Sequence, residues 1–301
     1  VKARIMSDDV PVVIDNPWQL LRRLTAARIA LGRAGVSQPT APHLAFQLAH
    51  AQARDAVQRE LDAVALAQAF ADGLPELPAA ALQLHSAAES RAMYLQRPDL
   101  GRMLDEASRA ALAAFASPQR ADAARTAGGC GAAAQGSAGA ASPADDGWDL
   151  AFVIADGLSA LAIEENALPF MRALMKKLAP LHLRIAPIAI VSQGRVALGD
   201  DVAELLGAQM VLVLIGERPG LSSPDSMGLY LTWQPKVGLT DAARNCISNV
   251  RPAGLPYEEA AHKLFYLLTE ARRRGLSGVA LKDETGVGDP TADTGQPRFL
   301  L

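Results

Sequence analysis

The sequence predicts an α/β protein: an open, doubly wound, mainly parallel sheet preceded by an N-terminal helical arm. Three features carry that reading. From Trp148 onward, short apolar runs alternate with longer stretches at helical spacing, the pattern of strand–helix–strand units. Residues 209–215 are almost continuously apolar and include β-branched side chains, as in a strand buried on both faces of a parallel sheet. Upstream, residues 16–116 carry helix signals in an alanine-rich background instead.

The elements follow in order. Asn16 and Pro17 make a start signal, an N-cap followed by proline at the first helical position. Leu20, Leu21, Leu24, Ala27, Ile29 and Leu31 recur behind them at roughly helical spacing, and Gly32, Gly35 and Pro39 end the element. A second helix is predicted from Pro42 or His43 to about Leu66, and a third from Asp99 to Phe115 after the turn at Arg97-Pro98-Asp99. Residues 1–116 are therefore read as an N-terminal helical region.

Residues 117–147 differ. Their centre is Ala/Gly/Ser low complexity with no large apolar side chain to bury, so they are read as a flexible linker. Residues 148–281 are the α/β domain. Its predicted elements are strand 150–155, helix 158–178, strand 183–191, helix 200–207, strand 209–215, strands 229–233 and 246–250, and helix 257–274. Lys176 and Lys177 close the first of these helices, where cations suit the helix dipole. The tail 282–301, rich in Gly, Asp, Thr and Pro, is read as disordered.

Composition bounds the function. The 301 residues allow about two domains. Half the residues are hydrophobic and a fifth are charged, which supplies a core and excludes wholesale disorder. A net charge of -3 lacks the basic footprint of a nucleic-acid binder. No apolar run approaches the roughly 20 residues that cross a bilayer, and the first residues have no apolar signal core. A cytoplasmic location is expected. Two cysteines, Cys130 and Cys246, exclude a disulfide scaffold. The five histidines are scattered and form no ligand set, so no metal site is predicted.

Ligands of a doubly wound sheet sit at the carboxyl ends of its strands. The stretches there are Asp156-Gly157-Leu158-Ser159, Ser192-Gln193-Gly194-Arg195-Val196, Gly216-Glu217-Arg218-Pro219-Gly220-Leu221 and Arg244-Asn245-Cys246-Ile247-Ser248-Asn249. Most are small, polar and glycine-bearing, so they predict one wide rim that a bulky ligand can approach closely. No Gly-x-Gly-x-x-Gly follows the first strand and no phosphate-binding loop exists, which leaves a nicotinamide or nucleoside triphosphate without a motif. No Gly-x-Ser-x-Gly elbow supports a hydrolase. Each rim residue also has a plain structural reading. Glu217 can pair with Arg218 or a backbone amide, Asp156 can N-cap the next helix, Cys246 can be a small buried hydrophobe, and Val196 can be ordinary packing.

The rim nevertheless resembles a known family. Ile154-Ala155-Asp156-Gly157-Leu158-Ser159, Gly194-Arg195-Val196, Leu214-Ile215-Gly216-Glu217-Arg218-Pro219-Gly220-Leu221 and Cys246-Ile247-Ser248-Asn249 occur in order, after the upstream stretches 25–35 and 94–102. Together they resemble the small (light) subunit of ethanolamine ammonia-lyase over about residues 16–280, apart from the Ala/Gly insert. Gly-Glu-Arg-Pro-Gly followed by Cys-Ile-Ser-Asn is the most specific part.

The resemblance implies an ammonia-lyase that splits ethanolamine into acetaldehyde and ammonia with adenosylcobalamin. It implies a Rossmann-like cobalamin-binding domain over 148–281, with the cofactor between this chain and a large TIM-barrel subunit in a hetero-oligomer. Catalytic residues are expected on that large subunit. Homolysis of the cobalt–carbon bond starts the radical chemistry, which belongs to the cofactor. The implied cobalamin contacts are Val196, Glu217 and Cys246. No nucleic acid or membrane partner is implied. The region before Asn16, tied in some members to bacterial microcompartments, is short here, so the cytoplasm or the inside of a microcompartment is expected. The reading from another class is a stand-alone cobalamin- or nucleotide-binding module without lyase activity.

Overall fold

A computed structural model describes residues 12–78, 81–127 and 147–284, and of 117–127 the backbone alone. Asn16 does cap a helix: its side chain accepts from the Trp18 N–H at 2.9 Å. That helix is a short 3-10 turn, Pro17–Arg23, with no buried residue, and not the longer helix that the leucine spacing predicts. Thr25 accepts from the Ala27 N–H, and Ala30 and Gly32 have positive φ, so the chain turns before a second helical stretch can form. Helix α1 (Thr40–Gln58) ends where Arg59 is extended. Asp62 then caps a separate helix, α2 (Ala63–Gly73), by accepting from the Ala65 N–H. The helix predicted to about Leu66 is therefore two.

The region read as helical also contains strand β1 (Leu82–His85) and helix α3 (Arg91–Gln96), capped by Ser90. Four residues carry too short a pattern to separate a strand from a helix turn. A 3-10 turn (Leu100–Arg102) leads to α4, Glu106–Ala127. This helix begins later than the predicted one and extends through the first part of the stretch read as linker. The rest of that stretch, 128–146, lies outside the described residues, as do 285–301 of the tail.

The α/β part agrees more closely. It comprises β2 (Trp148–Ala155), α5 (Ala160–Leu178), β3 (Ala189–Ser192), α6 (Leu198–Leu206), β4 (Ala208–Gly216), β5 (Met227–Trp233), β6 (Arg244–Val250) and α7 (Tyr257–Arg274). Six strands form one sheet in the order β1-β3-β2-β4-β5-β6. The pairs β1–β3, β2–β3 and β2–β4 are parallel, whereas β4–β5 and β5–β6 are antiparallel. The sheet is therefore mixed, not mainly parallel. The reason lies in the connections. A parallel return needs a dozen or more residues, usually a helix, while residues 217–226 and 234–243 carry no α-helix between their strands.

Side chains alternate across the sheet. On one face Phe152, Ile154, Ile190, Leu212, Leu214 and Leu231 pack with α2, α5 and α7. On the other, Val153, Val191, Val211 and Val213 pack with Leu112 of α4 and Leu198, Val202 and Leu206 of α6. The second layer thins toward the far edge, where Tyr230 of β5 is half-buried and Cys246 of β6 is exposed. No helix among the described residues is long and apolar enough to cross a membrane.

Candidate functional site

From β2 the chain crosses to β3 on one side and then returns to β4 on the other. That reversal opens a crevice at the carboxyl ends of these strands. Two glycines close its floor. Gly157 has a φ of 56°, and a Cβ there would stand 2.2 Å from the Gly216 carbonyl oxygen. Leu158 donates its N–H to that same oxygen at 2.9 Å. A Cβ on Gly216 would stand 2.0 Å from the Ser159 carbonyl oxygen. The two strand ends thus touch backbone to backbone. Ser159, not Asp156, caps α5: its hydroxyl accepts from the Ala162 N–H at 3.2 Å and donates to the Pro224 carbonyl at 2.7 Å.

Asp156 has another task. It is buried, its Oδ2 lies 3.0 Å from Arg91 Nη1, and its Oδ1 accepts from the Gly194 N–H at 3.1 Å. Arg91 also donates to the carbonyls of Gly157 and Val57, both at 2.8 Å. The pair joins the helical arm to two strand ends. Burial pushes the Asp156 carboxyl up to about 6, against the pull of Arg91 and the backbone amides. An acid with a raised folded pKa binds its proton more tightly when folded. Its contribution is complete below the unfolded value of 3.8 and is lost as pH rises through about 6. The loss is on the order of 3 kcal/mol. Urea unfolding of wild type and Asp156→Asn should show it as a stability difference that changes between pH 4 and pH 7. A pH-independent difference would contradict this assignment.

The loop after β3 is held from the arm. Tyr94 donates its hydroxyl to the Gly194 carbonyl at 3.1 Å. The guanidiniums of Arg195 and Arg91 lie 4.4 and 4.8 Å from its ring centre, in cation–π range. Val196 follows, half-buried.

At the end of β4, Glu217 accepts three hydrogen bonds, which leaves one of its roughly four acceptor positions open. It accepts from the Ser226 hydroxyl in a short bond, from the Ser248 hydroxyl at 2.6 Å and from the Asn249 N–H at 3.1 Å. A bulge makes this possible. Register slips between Met227 and Leu229, and Asn249 turns to a φ of 60°, so Ser248 and Asn249 both reach Glu217. Gly228 gives the carboxylate room, since a Cβ there would lie 3.0 Å from Glu217 Oε1. The backbone-amide reading of Glu217 is met by Asn249. Cys246 is exposed instead of buried, and sits directly opposite Tyr230 on the adjacent strand. Partial desolvation by the groups around it still pushes its thiol up; the bond to Tyr230 opposes this and the charge of Glu217 adds to it. The Tyr230 phenol is raised as well, chiefly by burial, so it remains a hydroxyl donor.

These groups border two joined grooves. The smaller, about 430 Å³, is lined by Val196, Glu217, Arg195, Arg218, Gly157 and Tyr230, among others. The larger, about 740 Å³, shares Arg195, Val196 and Tyr230 with it and continues past Arg102 and Val237. Val196 and Glu217 thus line one groove, and Cys246 stands beside its Tyr230 wall. Tyr230, Tyr94, Arg91 and Arg102 are not predicted as site residues from sequence. Only the stretch 94–102 carries a signal, through its part in the family resemblance. Among the described residues no cluster of His, Cys, Asp and Glu could hold a metal ion.

The chain is thus an α/β protein with a glycine-floored groove at the reversal of its sheet. The sequence model of the family described as "Ethanolamine ammonia-lyase light chain (EutC)" matches residues 15–282. A protein of Ralstonia nicotianae is 55% identical over 296 residues, covering 98% of both chains. One of Azotobacter vinelandii is 54% identical over 297 residues, covering 98% of this chain and 99% of the relative. One of Pseudomonas aeruginosa is 53% identical over 273 residues, covering 91% and 89%. All three are called "Ethanolamine ammonia-lyase small subunit". The chain belongs to the ethanolamine ammonia-lyase light-chain family.

Proposed function

We propose that this chain is the small subunit of an adenosylcobalamin-dependent ethanolamine ammonia-lyase, that it binds the cobalamin in the joined grooves, and that it presents the cofactor to a large catalytic subunit. One observation carries the reading: in a chain of this family, Val196 and Glu217 line a single groove whose wall, Tyr230, is paired with Cys246.

The groove fits the group. A corrin is broad and apolar, with amides at its edge. Val196 and the Tyr230 ring offer apolar contact, and the glycine floor keeps side chains out of the way. Glu217 can accept an amide N–H group, and the Arg218 guanidinium can donate to amide carbonyls. Bound there, adenosylcobalamin would supply the radical that opens the reaction. The chain's own share is to bind, orient and exclude water. Glu217 does so from a fixed position, because Ser226, Ser248 and Asn249 hold its carboxylate. The Asp156–Arg91 pair keeps the Gly194 loop, and with it Val196, at a set height above the sheet.

The test is association. This chain, the large subunit and adenosylcobalamin are mixed and separated by size, and corrin absorbance is followed. Corrin absorbance travelling with a two-chain complex is the expected result. A lone chain that turns over ethanolamine, or a pair that does not associate, would overturn the proposal.

A further inference from the structure

The stretch 94–102 holds the loop after β3 at both its ends, through Tyr94 on the Gly194 carbonyl and Gly101 on Arg195. Arg195 donates its backbone N–H to the Gly101 carbonyl at 2.7 Å. A Cβ on Gly101 would stand 2.9 Å from Arg195 Cγ. The next residue, Arg102, is thereby delivered to the larger groove, on the side away from Glu217.

Four other charged residues line that groove. Arg109 is paired with Asp201, which also accepts from the Leu104 N–H at 3.3 Å. Asp241 lies 3.4 Å from Arg244. The Arg195 guanidinium donates one long bond, 3.4 Å, to the Tyr94 carbonyl, and among the described residues it has no ion pair. Arg102 is exposed, and no hydrogen bond or ion pair uses its side chain among the described residues. The larger groove thus holds two guanidiniums with donors to spare. The smaller one instead sets an acceptor beside a donor, the Glu217 carboxylate next to exposed Arg218, a mixed end that suits neutral amides.

A ligand suited to both ends is neutral and amide-bearing at one and anionic at the other. Cobalamin has this division. The corrin's side chains are neutral amides, while the nucleotide arm carries a single phosphodiester. We propose that Arg102 and Arg195 form an anion subsite for that phosphodiester, leaving the rim beside Glu217 to the corrin edge. Guanidinium forks match phosphate oxygens in pairs, and the shared wall of Arg195, Val196 and Tyr230 lets one molecule occupy both grooves. The inference rests on the cobalamin reading above.

The experiment separates the two claims. Cobalamin and cobinamide, which lacks the nucleotide arm, are titrated into the complex with the large subunit, followed by the corrin spectrum. Wild type is compared with Arg102→Ala and Arg102→Lys. Arg102→Ala should weaken cobalamin about tenfold and cobinamide less than twofold, with Arg102→Lys between. Equal weakening of both corrinoids, or of neither, would overturn the subsite while leaving the cobalamin site standing. A wild-type complex that binds neither corrinoid would refute the cobalamin site, and the subsite with it.

Discussion

Arg244→Met should lower the unfolding temperature by roughly 10 °C, from a loss of about 3–5 kcal/mol. The side chains of Arg244 and Asp200 are each 1% exposed and meet through two bonds of 2.7 Å. Arg244 also donates to Thr232 Oγ1 and to the Leu239 carbonyl, both at 3.2 Å. Burial already holds the Asp200 carboxyl above its ordinary range, with Arg244 pulling the other way. Without the arginine, a carboxyl deep under α6 has lost its main partner. Replacing both members, Asp200→Leu with Arg244→Met, should recover most of the loss, because two apolar groups leave no unpaired charge. Thermal unfolding of the three variants checks this. A single variant within 1 kcal/mol of wild type would show that the pair does not tie α6 to β6. Arg244 shares a sheet face with Cys246, so the single variant should also weaken any ligand held on that face.

Gly216→Ala should cost about 3 kcal/mol or more. Its Cβ would fall within 2.0 Å of one backbone oxygen, on Ser159, and 2.5 Å of another, on Asp156. Neither can swing aside as a side-chain end could. The ends of β2 and β4 must part, and the start of α5 moves with them. Gly207→Ala provides the contrast. Gly207 has a φ of 74° but nothing within 4 Å of a Cβ, so its cost is conformational alone, about 1 kcal/mol. Denaturant unfolding should rank Gly216→Ala well below Gly207→Ala. The reverse order would mean that the groove floor is not set by close backbone approach.

Much of the fold was legible because its elements are long and strongly patterned. Helix α7 begins and ends where the pattern does, at Tyr257 and Arg274, and β4 is the predicted run with one residue added at each end. What escaped is short or depends on distant partners. β1 has four residues and becomes a strand only by pairing with β3. The antiparallel turn of β5 and β6 was readable in principle from their helix-free connections, but apolar continuity in β4 speaks for burial and not for direction. The leucines after Asn16 are exposed, with Leu20 at 67% and Leu24 at 76%, so nothing in the described chain draws them into a longer helix.

The site divides in the same way. Strand-end loops could be named from sequence because topology sends ligands there. Side chains whose work depends on a partner far along the chain could not. Asp156 reads as an N-cap until Arg91 is seen 65 positions upstream. Tyr230 reads as one more strand residue until it stands between Val196, Glu217 and Cys246.

The most direct measurement is a titration of adenosylcobalamin into the two-subunit complex carrying wild type or Glu217→Ala, with unfolding curves recorded in parallel. The Glu217 carboxylate is the best-anchored acceptor on the rim, so its loss should weaken cobalamin about tenfold or more while the chain still unfolds in one cooperative transition, shifted down by the lost bonds to Ser226, Ser248 and Asn249. An unchanged dissociation constant in a variant that still folds cooperatively would contradict cobalamin binding in this groove.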